Sequence, residues 1–286
     1  MLHSILMIGG LFFQLLTYQT NPELKNSLTF YASFDNGTKA DFALGDPNIY
    51  TAKGSYVNWV RVLEGIEVGM NNPNHQIVEG KGRFGNAFEF GPGRSGQVIF
   101  YKSEKNIAYD AKSWSGSISF WLSVDPSTDL KGYTDPVQIT DINFNDASLW
   151  VDFTDHKPPN FRLGVIGDKN EWSLDTLETP ADVVWDKRIV NVEAPSFSRS
   201  KWTHILITYE NLGTENSSAI LYFDGEKIGV VEGIDDPFTW ELEKSNIFLG
   251  LGYTGLMDEL SIFNRALSAE EAKALYQLEG GIKSIL

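Results

Sequence analysis

Apolar and polar residues alternate with a period of two through much of the chain. Leu28, Phe30, Ala32 and Phe34 alternate with Thr29, Tyr31, Ser33 and Asp35, and Ile118, Phe120, Leu122 and Val124 alternate with Ser117, Ser119, Trp121 and Ser123. Side chains of a strand point to opposite faces in turn, so each segment predicts a strand with one face in a core. Similar runs over 84–90, 97–101, 160–166, 228–231 and 246–251 predict further strands, as do two possible short ones at 57–63 and 66–70. The segment 137–153 predicts a hairpin turning near 143–147, and 201–210 with 219–223 predicts another. Two stretches lack a period: 41–80, punctuated by Gly, Asn and Pro, and 168–198, which carries Trp172, Trp185 and several acids. Loops of that length in a compact domain tend to be functional.

The pattern changes once, over 255–276. The run 256–263 predicts a strand, broken by Asp258 and Glu259, whose side chains alternation sends to opposite faces. Ser268 then starts a helix with Glu271 three residues on, a capping box in which each side chain accepts from the other's backbone N–H. Ala272, Leu275 and Tyr276 give the helix one apolar stripe, and Gly280-Gly281 ends it. Strands throughout and one short terminal helix predict an all-β, antiparallel two-sheet sandwich.

The same segments carry a family resemblance. Gly255, Met257-Asp258-Glu259-Leu260, Ile262, Asn264 to Ser268 and Leu275-Tyr276 resemble the end of bacterial laminin-G-like jelly rolls, in the concanavalin A-like lectin/glucanase superfamily. Phe84 to Ala87 with Phe88 and Phe90, the run 117–124, and 202–209 with 221–225 are similar to three further motifs of that family, in the same order. The resemblance implies one jelly-roll domain over 27–280 ending in a short helix. It also implies a structural Ca²⁺ between the first and last strands, where Asp35 and Asp258 stand. It leaves function open, since the superfamily holds lectins, glycosidases, lyases and adhesion modules.

Composition narrows the partners. The 286 residues carry a formal net charge of −15, which repels nucleic acid and anionic membranes. There is no cysteine, hence no thiolate nucleophile and no thiolate-bound metal. The apolar run 5–16 is short for a bilayer span and predicts that residues 1–20 are a signal peptide or N-terminal anchor, with no further transmembrane segment. The expected location is therefore secreted or in the cell envelope, and the expected state a monomer.

Candidate chemistry is sparse. The Glu-x-Asp-x-x-Glu run of the family's glucanases is missing, and Glu241-Leu242-Glu243 is a weak substitute at a loop or edge. His204 within a strand reads as a sheet residue rather than a base. Asp141, Asn143 and Asn145 with Asp152 mimic the oxygen spacing of a calcium loop, but Asp146 stands where such a loop needs Gly. Sugar recognition needs an aromatic platform beside hydrogen-bonding groups. Trp150 with Asp152 on one strand face, Trp172 and Trp185 from the long loop, and Tyr56 and Trp59 from the early loops supply candidates. Three functions follow: a non-catalytic module binding extracellular poly- or oligosaccharide, a module binding a cell-surface protein or serving the envelope, and a divergent glycosidase or lyase. The last requires paired acids, or a Tyr/Arg/His cluster, inside one cleft.

Overall fold

A computed structural model describes residues 22–93, 96–177 and 179–286. The predicted leader, 1–20, lies outside the described residues. Two antiparallel sheets face each other across an apolar core, as the alternation predicts. The first has nine strands and runs β15 (Glu226–Glu232), β14 (Ser218–Phe223), β13 (Thr203–Leu212), β8 (Trp114–Ser123), β17 (Gly255–Phe263), β1 (Leu28–Ala32) and β2 (Phe42–Ala43). Off β17 it also carries β6 (Ala87–Phe90), which pairs with β5 (His75–Val78). The second has eight strands, in the order β12 (Ile189–Val192), β11 (Phe161–Ile166), β10 (Ser148–Phe153), β9 (Thr134–Thr140), β16 (Asn246–Leu251), β7 (Gln97–Lys102), β3 (Ile49–Val57) and β4 (Val60–Val68).

The inward positions form one cluster. Ile118, Phe120, Leu122, Ile205, Ile207 and Leu260 from the nine-stranded sheet meet Val137, Ile139, Leu149, Val151, Leu163 and Leu249 from the eight-stranded one. Short helices lie at the ends and in the loops: α1 (Pro22–Ser27), α2 (Pro126–Asp129), α3 (Lys169–Asp175), α4 (Ala181–Asp186) and α5 (Ala269–Tyr276). The capping box of α5 forms as predicted, with the Ser268 side chain accepting from the Glu271 N–H and the Glu271 carboxylate accepting from the Ser268 N–H.

The two outer faces are treated differently. On the nine-stranded sheet, α5 and the following turn (Ile282–Ile285) bury Tyr31, Leu206, Tyr222 and Phe263 in a second apolar cluster. His204 belongs to this sealed face. Its Nε2 lies 2.8 Å from the Ser119 hydroxyl and its ring packs on Trp121. Burial pushes it down to about 3, so the imidazole is neutral near pH 7, and the residue is almost wholly buried.

Three sequence expectations change. The periodless stretch 168–198 holds two helices and an edge strand rather than a loop. The two short strands expected within 57–70 are one nine-residue strand, paired with β3 through a turn at Asn58-Trp59. Both turn residues have positive φ, 50° and 68°, the geometry that matches a two-residue hairpin to the strands' twist. Asp258 and Glu259 do not face opposite sides. A bulge in β17 leaves Glu259 at φ 55° and keeps Met257 and Leu260 in the core, while both carboxyls turn to the outer side.

Candidate functional site: a cleft on the open sheet

The outer face of the eight-stranded sheet carries a cleft of about 650 Å³. The β3–β4 hairpin forms one wall, because Arg61 folds back over the Phe248 ring at 4.2 Å and its N–H donates to the Ile142 carbonyl. Helices α3 and α4 stand on the opposite side, bringing Trp185 to the cleft. Asp168 caps α3 by accepting from the Asn170 N–H, and the buried Arg188–Asp236 pair, 2.6 Å apart, holds the carbonyl of Val184 in α4 through a second guanidinium nitrogen.

Aromatic residues line one end. Trp150 leaves only 2% of its surface exposed, and its indole N–H donates to the Phe144 carbonyl. It lies flat because its partner across the strand pair is Gly164, where a Cβ would meet the indole at 2.2 Å. Trp185 stacks on it at 6.3 Å and 28°, with Phe144 edge-on to Trp185. Trp172 packs behind Trp185 at 5.7 Å, donates to the Asn145 carbonyl, and is not part of the cleft lining. Trp59 is 69% exposed at the hairpin tip, beyond the lining, while Tyr56 of the same hairpin does line it. Of the predicted ligand contacts, Trp150, Asp152 and Trp185 therefore converge with Tyr56; Trp172 supports them and Trp59 stands apart.

A polar chain crosses the floor. One Arg61 nitrogen donates to the Tyr56 hydroxyl and to the Gln138 amide oxygen, both at 2.7 Å. The Gln138 amide nitrogen donates to Asp135 at 2.5 Å. Asp152, on the neighbouring strand, accepts two bonds from Arg162, at 2.9 and 2.5 Å. Burial raises the Asp135 carboxyl to about 7, with the Asp152 charge adding to the effect. Burial also raises Asp152, and the Arg162 guanidinium opposes that rise. With Arg162 in place, Asp152 is the member of the pair that carries the charge.

Asp135, Gln138, Arg61 and Arg162 were not identified from sequence. Val137 is a core residue, so strict alternation sends Asp135 into the core as well. The pairing of β9 with β10 jumps from Val137↔Val151 to Thr134↔Phe153, so Asp135 and Pro136 together oppose Asp152. This bulge turns Asp135 out to the cleft. The one available signal is Pro136 within a strand-like run, since proline inside a sheet is confined to edges and bulges.

The proposed metal ligands stand elsewhere. One Asp35 oxygen accepts from the Asn86 N–H, and the other lies 3.6 Å from the Lys283 ammonium. The two Asp258 oxygens accept from the Phe84 and Glu259 N–H groups, and burial pushes that carboxyl up to about 8. Oxygens turned toward N–H donors and an ammonium do not fit Ca²⁺, which needs six to eight oxygen ligands. Among the described residues, no group of three His, Cys, Asp or Glu side chains could hold a metal ion. The calcium-loop spacing also fails to converge. Asp141 accepts from the Glu241 N–H, the Asn143 amide donates to the Trp59 carbonyl, and Asp152 lies with Arg162. Glu241 is exposed and pairs with Lys244, outside the cleft.

No curated protein sequence matches the chain. Among solved structures, domain 4 of AbnA, a GH43 extracellular arabinanase from Geobacillus stearothermophilus in complex with arabinotriose, aligns with a TM-score of 0.54 and 16% identity, over 88% of this chain and 98% of that one. The binding domain of botulinum neurotoxin DC aligns at 0.56 in complex with rat synaptotagmin II and at 0.54 in complex with SialylT. Identity is 13% in both, over 91% of this chain and 52% of that one, so the chain spans about half of that domain. At such identities the likeness is one of fold. No helix among the described residues is long and apolar enough to cross a membrane. The family model for the concanavalin A-like lectin/glucanases superfamily, Laminin_G_3, matches residues 111–273, more than half of the sequence, and the chain belongs to that family.

Proposed function

We propose that this chain is an exported, non-catalytic carbohydrate-binding module and that the cleft on its eight-stranded sheet is the binding site. The observation that carries the proposal is the conjunction of an aromatic wall, Trp150 under Trp185, with hydrogen-bonding groups on one floor about 650 Å³ in extent. Sugars present apolar C–H faces and hydroxyls together, and this lining answers both. Two carboxyls do share the cleft, as a hydrolase would need, but both Asp152 oxygens are held by Arg162. That leaves Asp135 without a free partner to act across a glycosidic bond. Tyr56, Arg61 and His75 also share the lining, the grouping that a lyase requires, so a lyase is the enzymatic alternative at this same cleft, and cleavage of a bound polysaccharide by the wild-type protein would contradict the non-catalytic reading. The solved structures above include one complex with arabinotriose and one with rat synaptotagmin II, which is compatible with either kind of ligand.

A second reading, a protein partner, is favoured by the hairpin. Tyr56, Val57, Trp59, Val60, Ile66 and Val68 are all more than 40% exposed on it, and apolar clusters of that kind mark interaction surfaces. A glycan array followed by calorimetry separates the two. The module reading predicts binding that is lost in Trp185→Ala while the fold survives. No binding to any soluble glycan, together with a protein captured equally by wild type and Trp185→Ala, contradicts it.

A further inference from the structure

Among the described residues two guanidinium groups line the cleft, and they are not equivalent. Arg162 is neutralised by its two bonds to Asp152. Among the described residues, no carboxylate lies within ion-pair distance of Arg61. Its hydrogen bonds go to a phenol and a carboxamide, both neutral, and its Nη1 is buried without an acceptor. Leaving a half-buried cation uncompensated is costly, and a protein of net charge −15 has no shortage of carboxylates to place beside one.

The carboxyl nearest along the chain of hydrogen bonds is Asp135, one amide removed through Gln138. Its surroundings raise it to about 7, so the neutral acid predominates below neutrality. The groups that face it are Asp152 from β10, Arg162 from β11, Arg61 from β4, and Tyr133 and Gln138 from its own strand and the residue before it; His75, Tyr56 and Tyr253 line the remaining walls. Burial lowers His75 and raises Tyr133 and Tyr253, so none of these adds charge near neutrality. With Asp135 protonated, the floor holds two positive groups and one negative, a cationic centre in an acidic protein.

We propose that the glycan bound in this cleft is an acidic one, and that its carboxylate lies against Arg61 with Asp135 as a hydrogen-bond donor. The inference rests on the glycan-binding reading of the same cleft. Tyr56, 54% exposed at the rim, is the neutral acceptor that a ligand carboxylate displaces from the guanidinium. A neutral Asp135 can donate to the incoming carboxylate, whereas an ionised one repels it. Binding therefore takes up a proton as the pH rises past neutrality, and affinity falls there.

Calorimetric titration with trigalacturonate and 3′-sialyllactose, against arabinotriose and lactose, tests this at about pH 6 and about pH 8. The two acidic probes also tell a uronate site from a sialate site. The expected result is an acidic probe bound about tenfold or more tighter than the neutral sugars, as one charge-assisted hydrogen bond provides, with the preference largest at the lower pH. Asp135→Asn removes the pH dependence. Arg61→Gln removes the preference for acid, and Arg61→Lys restores part of it, with thermal melting confirming that each variant is folded. Equal or tighter binding of the neutral sugars, or a preference that survives in folded Arg61→Gln, overturns the inference and leaves the module reading intact. No binding of any sugar overturns both.

Discussion

Two carboxylate pairs in this molecule are built by the same device and end in opposite roles. Asp135 faces Asp152 across a bulge in β9, and Asp258 stands beside Glu259 at a bulge in β17. Each bulge takes an acid out of the register that would have buried it in the core. On the nine-stranded sheet the result is covered over. Glu259 accepts from the Tyr31 hydroxyl at 2.5 Å and from the Ile282 N–H at 2.7 Å, and Asp258 is fully buried under the loop at Phe84. On the eight-stranded sheet the acid is partly buried but borders the cleft, which reaches it. A perturbed carboxyl is thus a candidate for function only where its surroundings leave room for a ligand. The lid, rather than the shift, separates structural acids from binding ones.

The largest expected effect lies on the sealed face. Leu206 is fully buried beneath α5, and Leu206→Ala costs about 2–5 kcal/mol in urea unfolding, with ligand binding unchanged. A loss of binding in the folded variant would mean that the faces are coupled. Next is the support of the open face. A Cβ at Gly164 meets the Trp150 indole at 2.2 Å, so Gly164→Ala costs about 1–3 kcal/mol and displaces the aromatic wall, weakening binding as well. Smaller in stability, but decisive for the contrast, is Trp185→Ala. A half-exposed ring gives up about 1 kcal/mol of stability at most, while binding is lost.

The pH dependence of folding compares the pairs directly. Burial raises Asp258 from 3.8 to about 8, Glu259 from 4.5 to about 7 and Asp135 from 3.8 to about 7. Over that window the folded chain binds more protons than the unfolded one, so the stability these groups contribute is complete below their ordinary values and is lost as the pH rises through the folded ones. The melting temperature therefore falls from about pH 5 to about pH 9, and Glu259→Gln flattens the decline. His204 acts in the other direction, since its lowered value removes stability as the pH falls below 6.5. A melting temperature that rises steadily to pH 9 would contradict the assignment of buried, proton-holding acids. The smallest effect is none at all. Because the Asp35 and Asp258 oxygens turn to backbone amides and Lys283, adding Ca²⁺ or a chelator leaves the melting curve unchanged, and a shift would reveal a donor set that these residues do not supply.

How far the sequence reached follows from where its periods hold. The alternation at Ile118 to Val124 placed the core face of β8 correctly, and Ser268 with Glu271 located α5 to the residue, because both depend on near neighbours in the chain. Trp150 and Asp152 were correctly placed on one face of a strand for the same reason. The expected facing failed at Glu259, where a bulge shifts the phase, and the bulge at Asp135 hid that residue from any periodic reading. It failed again where the partner comes from another strand. Nothing near Gln138 announces Arg61, 77 residues away, and Arg162 reaches Asp152 only because β10 and β11 pair in that register. The choice between an open and a sealed face depends on which segment folds over which sheet, and that is a property of the tertiary structure alone.

Hydrogen exchange measured by mass spectrometry, with and without the oligosaccharide selected by calorimetry, is the most direct test of the claim that the open sheet is the binding face. Ligand should slow exchange in β9, in β10 and in the β3–β4 hairpin around Tyr56 and Arg61, and should leave α5 and β13 as they were. Protection confined to α5 and the nine-stranded sheet, with the cleft strands unchanged, would place the ligand on the face that this account describes as closed and would contradict it.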